Sequence, residues 1–351
     1  MIFSASGGPV FGWIRLAIER GFGHTPYGDH FAHACGLEVI LPTGERIETG
    51  FCRFNNSKTG PLYRWGVGPV LDGMFSQSNL GVVTRMSLWL MPEPEYFQAF
   101  FFRCDRDLLG PIVDALRPLR LNGTLRSAVH IGNDYKVLAG LQQYPWTDTG
   151  GKTPLSADLM QRLRSELRIG TWNGSGGLYG SRAQVSEARK LIKRALAHNV
   201  DQLSFLDDQI LRLASRFGKA YQMLTGWDLM RTLQVLRPVY GLMKGIPTDK
   251  PLVSTYWRKR HPIPAQMNPD RDGCGLLWFA PVTPMDGNNV EDLTRIASET
   301  LLEHGFEPMI SLTLLNGARR LMRDLYNLRS RRTRRGRARH AVLRNGGQES
   351  D

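Results

Sequence analysis

Cysteine is scarce, four residues in 351, and none stands in a CxxC pair or beside histidines at metal-ligand spacing. Cys35, Cys52, Cys104 and Cys274 therefore give no support for a zinc site or a disulfide framework, and they read as isolated structural thiols; no metal is expected. Long apolar runs are also missing, since nothing approaches the roughly 20 residues that cross a bilayer. The opening residues, MIFSASGGPVFGW, place no basic stretch ahead of their apolar positions. A secretory signal is not read there, and a cytoplasmic location away from membranes is the expectation. Three phosphate or nucleophile signatures are absent too. No GxGxxG follows a strand-like run, and neither a P-loop nor a GxSxG elbow occurs, so the dinucleotide-fold, P-loop and hydrolase arguments cannot be made.

Lysine is missing from residues 317–351, which hold eleven arginines against Asp324, Glu349 and Asp351, a net of +8. The preceding 316 residues carry the other +5 of the +13 total, an ordinary charge for their length. The positive excess thus belongs to the tail, and nucleic-acid binding is not the favoured reading of the body. For NLRSRRTRRGRARHAVLRNGGQESD three readings stay open: a basic run on phosphate backbones, a solvated disordered end, or a shifted frame in a GC-rich gene.

With 42% hydrophobic and 22% charged residues the chain has the composition of a soluble globular protein, long enough for two domains with their own cores. GLEVILPTGERIETG, 36–50, alternates around Pro42-Thr43-Gly44 and predicts a hairpin. VLDGMFSQSNLGVVTRMSLWLM, 70–91, predicts a short helix, a polar turn and a strand, and the two prolines of MPEPEY mark a boundary near 92. Beyond it, strands are predicted at 97–103, 172–180 and 276–282. A helix follows Ser181, with Val185, Ala188, Ile192 and Ala195 facing inward. A second starts at an Asn289 cap, buries Val290, Leu293, Ile296, Ala297 and Leu301, and stops at Gly305. This order predicts an α+β fold with helices on one face of an antiparallel sheet.

Three stretches hold more chemistry than a loop requires. In TPYGDH, 25–30, Asp29 either caps a backbone group while His30 packs, or is a carboxylate held on a rigid turn as a proton acceptor. FSQSNLGVVT, 75–84, is either a buried turn or a backbone approach to an anion around Gly81. YWRKRHPIP, 256–264, and CGLLWFAPV, 274–282, could line an aromatic pocket with a cation. The simpler reading is a strand whose Leu276, Trp278 and Ala280 form one core face.

Taken together, RGFGHTPYGDHFAHACGLEVILPTGERIETG, WGVGPVLDGMFSQSNLGVVTRMSLWLMPEPE and CGLLWFAPVTP resemble the vanillyl-alcohol oxidase, eugenol oxidase and p-cresol methylhydroxylase group of FAD-dependent enzymes. The resemblance runs in order from about residue 13 to about 315. It implies the later half of a PCMH-type FAD-binding domain at 1–92, an α+β cap over the substrate at 93–316, and a basic, disordered tail at 317–351. It implies FAD as cofactor, with Pro26, Tyr27, Gly28, Ser78 and Asn79 near it and Gly81, Val82, Val83 and Thr84 approaching it through their backbone. Asp29 matches the catalytic aspartate, and Arg258 a cation that stabilises charge on the reduced flavin.

The activity implied is oxidation of small para-substituted phenols by hydride loss from a benzylic carbon through a quinone methide, with oxygen or a cytochrome taking the electrons. A homo-oligomer is left open. Departures from the family pattern matter as well. The pyrophosphate loop would lie upstream and the Tyr-Arg phenolate clamp downstream, so a chain truncated at both ends, with negligible turnover by itself, is expected. Leu276 stands where covalent members carry His or Tyr, so the FAD would be held non-covalently. The rival reading is a non-catalytic interaction protein whose basic tail binds acidic partners.

Overall fold

A computed structural model describes residues 17–214, 216, 229–315 and 322–329, with the backbone alone for 229–235 and 322–329. The chain divides into two compact units, residues 1–95 with 236–248, and residues 96–235 with 249–351. The architecture is α+β, and every strand pairing is antiparallel.

The first unit is built on a three-stranded sheet in the order β2-β1-β3, from β1 (Ala34–Ile40), β2 (Arg46–Glu48) and β3 (Val82–Leu88). The predicted hairpin joins β1 to β2. Gly44 turns it with φ +84, donating its N–H to Leu41 O at 2.8 Å. Leu37, Val39 and Phe75 form a small core, joined by Ile47, Val83 and Met86. Thr49 locks the sheet to the 3-10 turn Asp72–Phe75: its hydroxyl accepts the Leu37 N–H at 2.8 Å and donates to the buried Asp72 carboxylate.

The second unit holds a seven-stranded sheet in the order β7-β4-β6-β5-β9-β10-β8. Its strands are β4 (Tyr96–Cys104), β5 (Val129–Asn133), β6 (Trp172–Gly180), β7 (Gln202–Leu206), β8 (Cys274–Phe279), β9 (Ile310–Leu314) and β10 (Met322–Arg329). One face packs Phe100, Phe102, Ile131 and Leu312 against α1 (Leu109–Leu121), α4 (Arg182–Leu196) and α6 (Gly287–Glu303). Ser181 caps α4 with a full capping box through Gln184, as a serine three residues before a glutamine predicts. The unit's remaining helices are α2 (Asp134–Leu141) and α3 (Ala157–Leu167), while α5 (Leu229–Met243) is divided between the two units at Leu236.

Several expectations need correction. Helices do not keep to one face: Gly132 alternates with core Ile131, and a Cβ on Gly132 would meet Lys136 of α2 at 3.4 Å, which puts α2 on the opposite face. The α6 cap is Asp286, whose carboxylate accepts the Asn289 N–H at 3.0 Å, because the helix starts earlier than its apolar stripe. Ile296 is exposed while Thr294 is buried, its hydroxyl satisfied by Val290 O at 2.9 Å. In β8 the register is the reverse of that predicted. Leu277 and Phe279 pack on Leu301 and Phe306, leaving Leu276 and Trp278 41% and 48% exposed. No described helix is long and apolar enough to cross a membrane.

The segment read as a solvated tail contributes β10, inserted between β9 and β8 over residues 322–329. Strand pairing draws on backbone groups that every residue owns, and MRDLYNLR has four apolar residues in eight, masked in the sequence by the arginines after it. Residues 330–351 lie outside the described residues. β10 makes six register pairs with β8 and three with β9. Ending the chain at residue 315 is expected to lower the melting temperature by about 5 °C or more, whereas ending it at 330 leaves it unchanged, as measured by thermal unfolding.

Candidate active site

The stretch that carries Asp29 is a hairpin closed on itself. Phe22 and Asp29 form a β-bridge, Gly23 N donates to Gly28 O at 2.8 Å, and Gly28 N donates to Thr25 O at 2.9 Å. Thr25-Pro26-Tyr27-Gly28 is therefore a β-turn with proline where its fixed φ is favourable. Gly28 is demanded by close approach, since a Cβ there would lie 2.5 Å from Gly23 O and 2.9 Å from Thr25 O. Such a turn fixes the position of the next residue.

That residue is Asp29, exposed, with Oδ1 accepting the Ala32 N–H at 3.0 Å and its carbonyl bonded to His33 Nδ1 at 2.8 Å. The capping expected of the simpler reading is present, and His30 is buried as that reading requires. The carboxylate nonetheless faces solvent. The Tyr27 ring stacks on His33 with centroids 4.0 Å apart. Sequence reasoning missed Arg64. Its guanidinium donates to the carbonyls of Phe31, Ala32 and Ala34, the last at 2.8 Å, and so pins the turn after Asp29 from 30 residues away. A pairing at that separation leaves no local signal. The spacing of Tyr27 and His33 around a tight turn could have suggested theirs.

The second stretch lies alongside the approach to this hairpin. Ser76 Oγ donates to Ile18 O at 3.0 Å, Gln77 N to the same carbonyl at 3.1 Å, and Arg20 Nε to Ser76 Oγ at 2.6 Å. Ser78 Oγ accepts the Leu80 N–H at 3.1 Å, and Asn79 is exposed. Gly81 is again required by packing, because a Cβ would meet Val39 Cγ1 at 2.6 Å. Val82 and Val83 pair with Ile40 and Val39, leaving Val82 67% exposed and Val83 against the small core. The Thr84 hydroxyl donates to Glu38 Oε1 at 2.7 Å. Among the described residues the outer edge of β3 is paired with no strand.

Arg258 has a different environment. It is 4% exposed in the second unit, where Nη2 donates to Glu307 Oε2 at 2.7 Å and Nε to the same oxygen at 2.9 Å. Trp257 Nε1 joins that oxygen at 3.2 Å, and the guanidinium lies 5.2 Å from the Phe306 ring. Glu307 thus balances the charge of Arg258 from one side of the guanidinium, while Nη1 is buried without a hydrogen bond. Leu276 ends in an exposed apolar side chain on β8.

No family model matches the chain. It is 43% identical over 296 residues to the 1'-carboxy-chondrochloren decarboxylase of Chondromyces crocatus, covering 84% of this chain and 54% of that protein. It is 32% identical over 308 residues to the 4-cresol dehydrogenase (hydroxylating) flavoprotein subunit of Pseudomonas putida, covering 87% and 51% respectively. The crystal structure of p-cresol methylhydroxylase with substrate bound superposes with a TM-score of 0.78 at 26% identity, over 98% of this chain and 61% of that one. The chain spans about half the length of the curated relatives it matches.

His24, at the mouth of the hairpin, is held at about 4, well below the ordinary 6.5, first by burial and then by the neighbouring His30. A histidine whose folded value is depressed lets the unfolded chain bind the extra proton first. Stability is therefore expected to be undiminished above pH 6.5 and to fall as pH drops from 6.5 through 4, by up to about 3 kcal/mol. Chemical denaturation of the wild type and His24→Gln across that range checks this, the variant losing the slope.

Proposed function

We propose that this chain, homologous to the 4-cresol dehydrogenase flavoprotein subunit and similar to p-cresol methylhydroxylase, is an FAD-dependent oxidoreductase of the p-cresol methylhydroxylase and vanillyl-alcohol oxidase group, acting on small para-substituted phenols with Asp29 at the reacting carbon. The observation that carries the reading is an exposed carboxylate on a turn closed by Gly28, in a chain homologous to a cresol dehydrogenase flavoprotein subunit.

The residues present fit a flavin nucleotide at β3. The strand's outer edge keeps backbone donors and acceptors unpaired by any described strand, while exposed Leu80 and Val82 offer apolar surface for a flat ring. Ser78, Asn79, Gly81, Val82, Val83 and Thr84 would hold it there, with Pro26, Tyr27 and Gly28 shaping the neighbouring turn. FAD bound there would supply the acceptor for the hydride that leaves the benzylic carbon. Asp29 then does the proton chemistry. Its Oδ1 bond to Ala32 N–H fixes the carboxylate plane, so it can orient a water that adds to the quinone methide and take the proton released. Arg258, paired with Glu307 through Nε and Nη2, would act on the reduced flavin only through its remaining Nη1. Oxygen or a cytochrome would receive the electrons.

A second reading is favoured by the 43% identity to a decarboxylase. A phenol whose carboxylate sits on the carbon next to the benzylic one would, after hydride loss, release carbon dioxide instead of taking up water, the C–C electron pair restoring the aromatic ring, and product mass distinguishes the two.

Leu276 has no nucleophilic atom, so all flavin recovered with the chain is expected in the supernatant after acid precipitation. Yellow colour in the washed pellet would contradict this, and failure to retain any flavin would remove the reading altogether. Fused to the part of the Pseudomonas putida subunit that it does not match, the chain is expected to oxidise 4-cresol. Asp29→Ala should then lower kcat by roughly 10²–10⁴ with flavin content unchanged. Undiminished kcat in that variant would refute the role of Asp29.

A further inference from the structure

The second unit contains a cavity of about 710 Å³ that belongs to none of the groups used above. It lies where the end of α3 and the turn into β6 meet the last residues of β4. Three guanidiniums, those of Arg103, Arg164 and Arg168, line it with one carboxylate, Asp105, and Arg164 is also paired with the Asp134 carboxylate. Leu167 and Ile169 add apolar surface, and the volume is that of a small-molecule site, much larger than a bare inorganic anion needs.

The backbone shows that these arginines are placed. Gly170 presses the turn onto β4, since a Cβ there would lie 2.5 Å from Arg103 Cγ and 2.6 Å from Cys104 O. With its stem covered, Arg103 reaches Asp105 Oδ2 at 3.2 Å and Arg168 O at 3.4 Å, while its Nε is buried without a hydrogen bond. Arg164 is oriented by Asp134 at 3.3 Å and Thr171 Oγ1 at 2.9 Å. Arg168 ends α3 in the left-handed region at φ 54, ψ 42. Glycine or asparagine is the unstrained choice there, and another residue costs on the order of 1 kcal/mol. The strained position holds a cation at the cavity wall.

We propose that this cavity binds the phosphate group of a small phosphorylated compound, with the three arginines on the phosphate and Leu167 and Ile169 against the organic part. Several guanidiniums around one cavity offer more donors than a monocarboxylate, which one fork satisfies, and suit a tetrahedral dianion better. The site needs no flavin and does not depend on the function proposed above.

Titration calorimetry of the full chain with glycerol phosphate, glycerate and glycerol tests it. Glycerol phosphate is expected to bind at least about tenfold more tightly than glycerate, and glycerol not at all. Arg168→Asn keeps a residue suited to the left-handed backbone, so its melting temperature should not fall, yet affinity for glycerol phosphate should drop by about tenfold or more. Equal affinity in wild type and variant would assign the binding to other cations, such as those of the arginine tail, and overturn the proposal. So would absence of binding, or a preference for glycerate.

Discussion

The second unit depends on two aromatic rings lying over two glycines in the β4–β6 pair of its sheet. Phe102 stands opposite Gly174 and Phe100 opposite Gly176 in the β4–β6 ladder, and a Cβ on either glycine would land on the facing ring. Each phenyl group thus fills the space its partner leaves, and both are buried at the junction of α1, α4 and α6. Glycine in a strand interior ordinarily weakens it. Here WNGSGGLYG is a strand because the partner strand supplies the missing side-chain volume. Neighbouring strands inherit their register from this pair.

A similar economy of close approach organises the first unit. Gly28 and Gly81 sit where a single added carbon would strike backbone or core atoms. Around them, long-range hydrogen bonds from Arg64 and Thr49 tie loops to strands. The proposed chemistry rests on this rigidity, because a carboxylate useful for proton transfer must be held within a fraction of an ångström of its working position.

Legibility in the sequence is governed by range. The hairpin at 36–50, the β4 and β6 strands, the Ser181 cap and the Gly305 stop are specified by residues within a few positions of one another, and local chemistry suffices for them. The register of β8 was not legible, because Leu276-Leu277-Trp278-Phe279 offers apolar residues to both faces and only the packing of Leu277 and Phe279 on Leu301 and Phe306 decides between them. β10 was hidden by composition: the arginines after it dominate any window that contains it. Asp29 stood out because an acid beside a proline-glycine turn is unusual, whereas Arg64 was invisible, its three carbonyl partners being defined by the folded loop alone.

Arg258 shows how a buried charge is balanced within the fold. An arginine buried without a counter-charge would be strongly unfavourable, and Glu307 provides one, with Gly305 O accepting from Nη2 at 2.6 Å. Loss of either partner would leave the other charge uncompensated in the interior, so the pair constrains the loop before β9 to one arrangement. Asp29 occupies the opposite situation, exposed and held by main-chain contacts that leave its carboxylate facing solvent. A charge consumed by the fold and a charge presented by it have different consequences for chemistry, and the second kind is what a reacting centre requires.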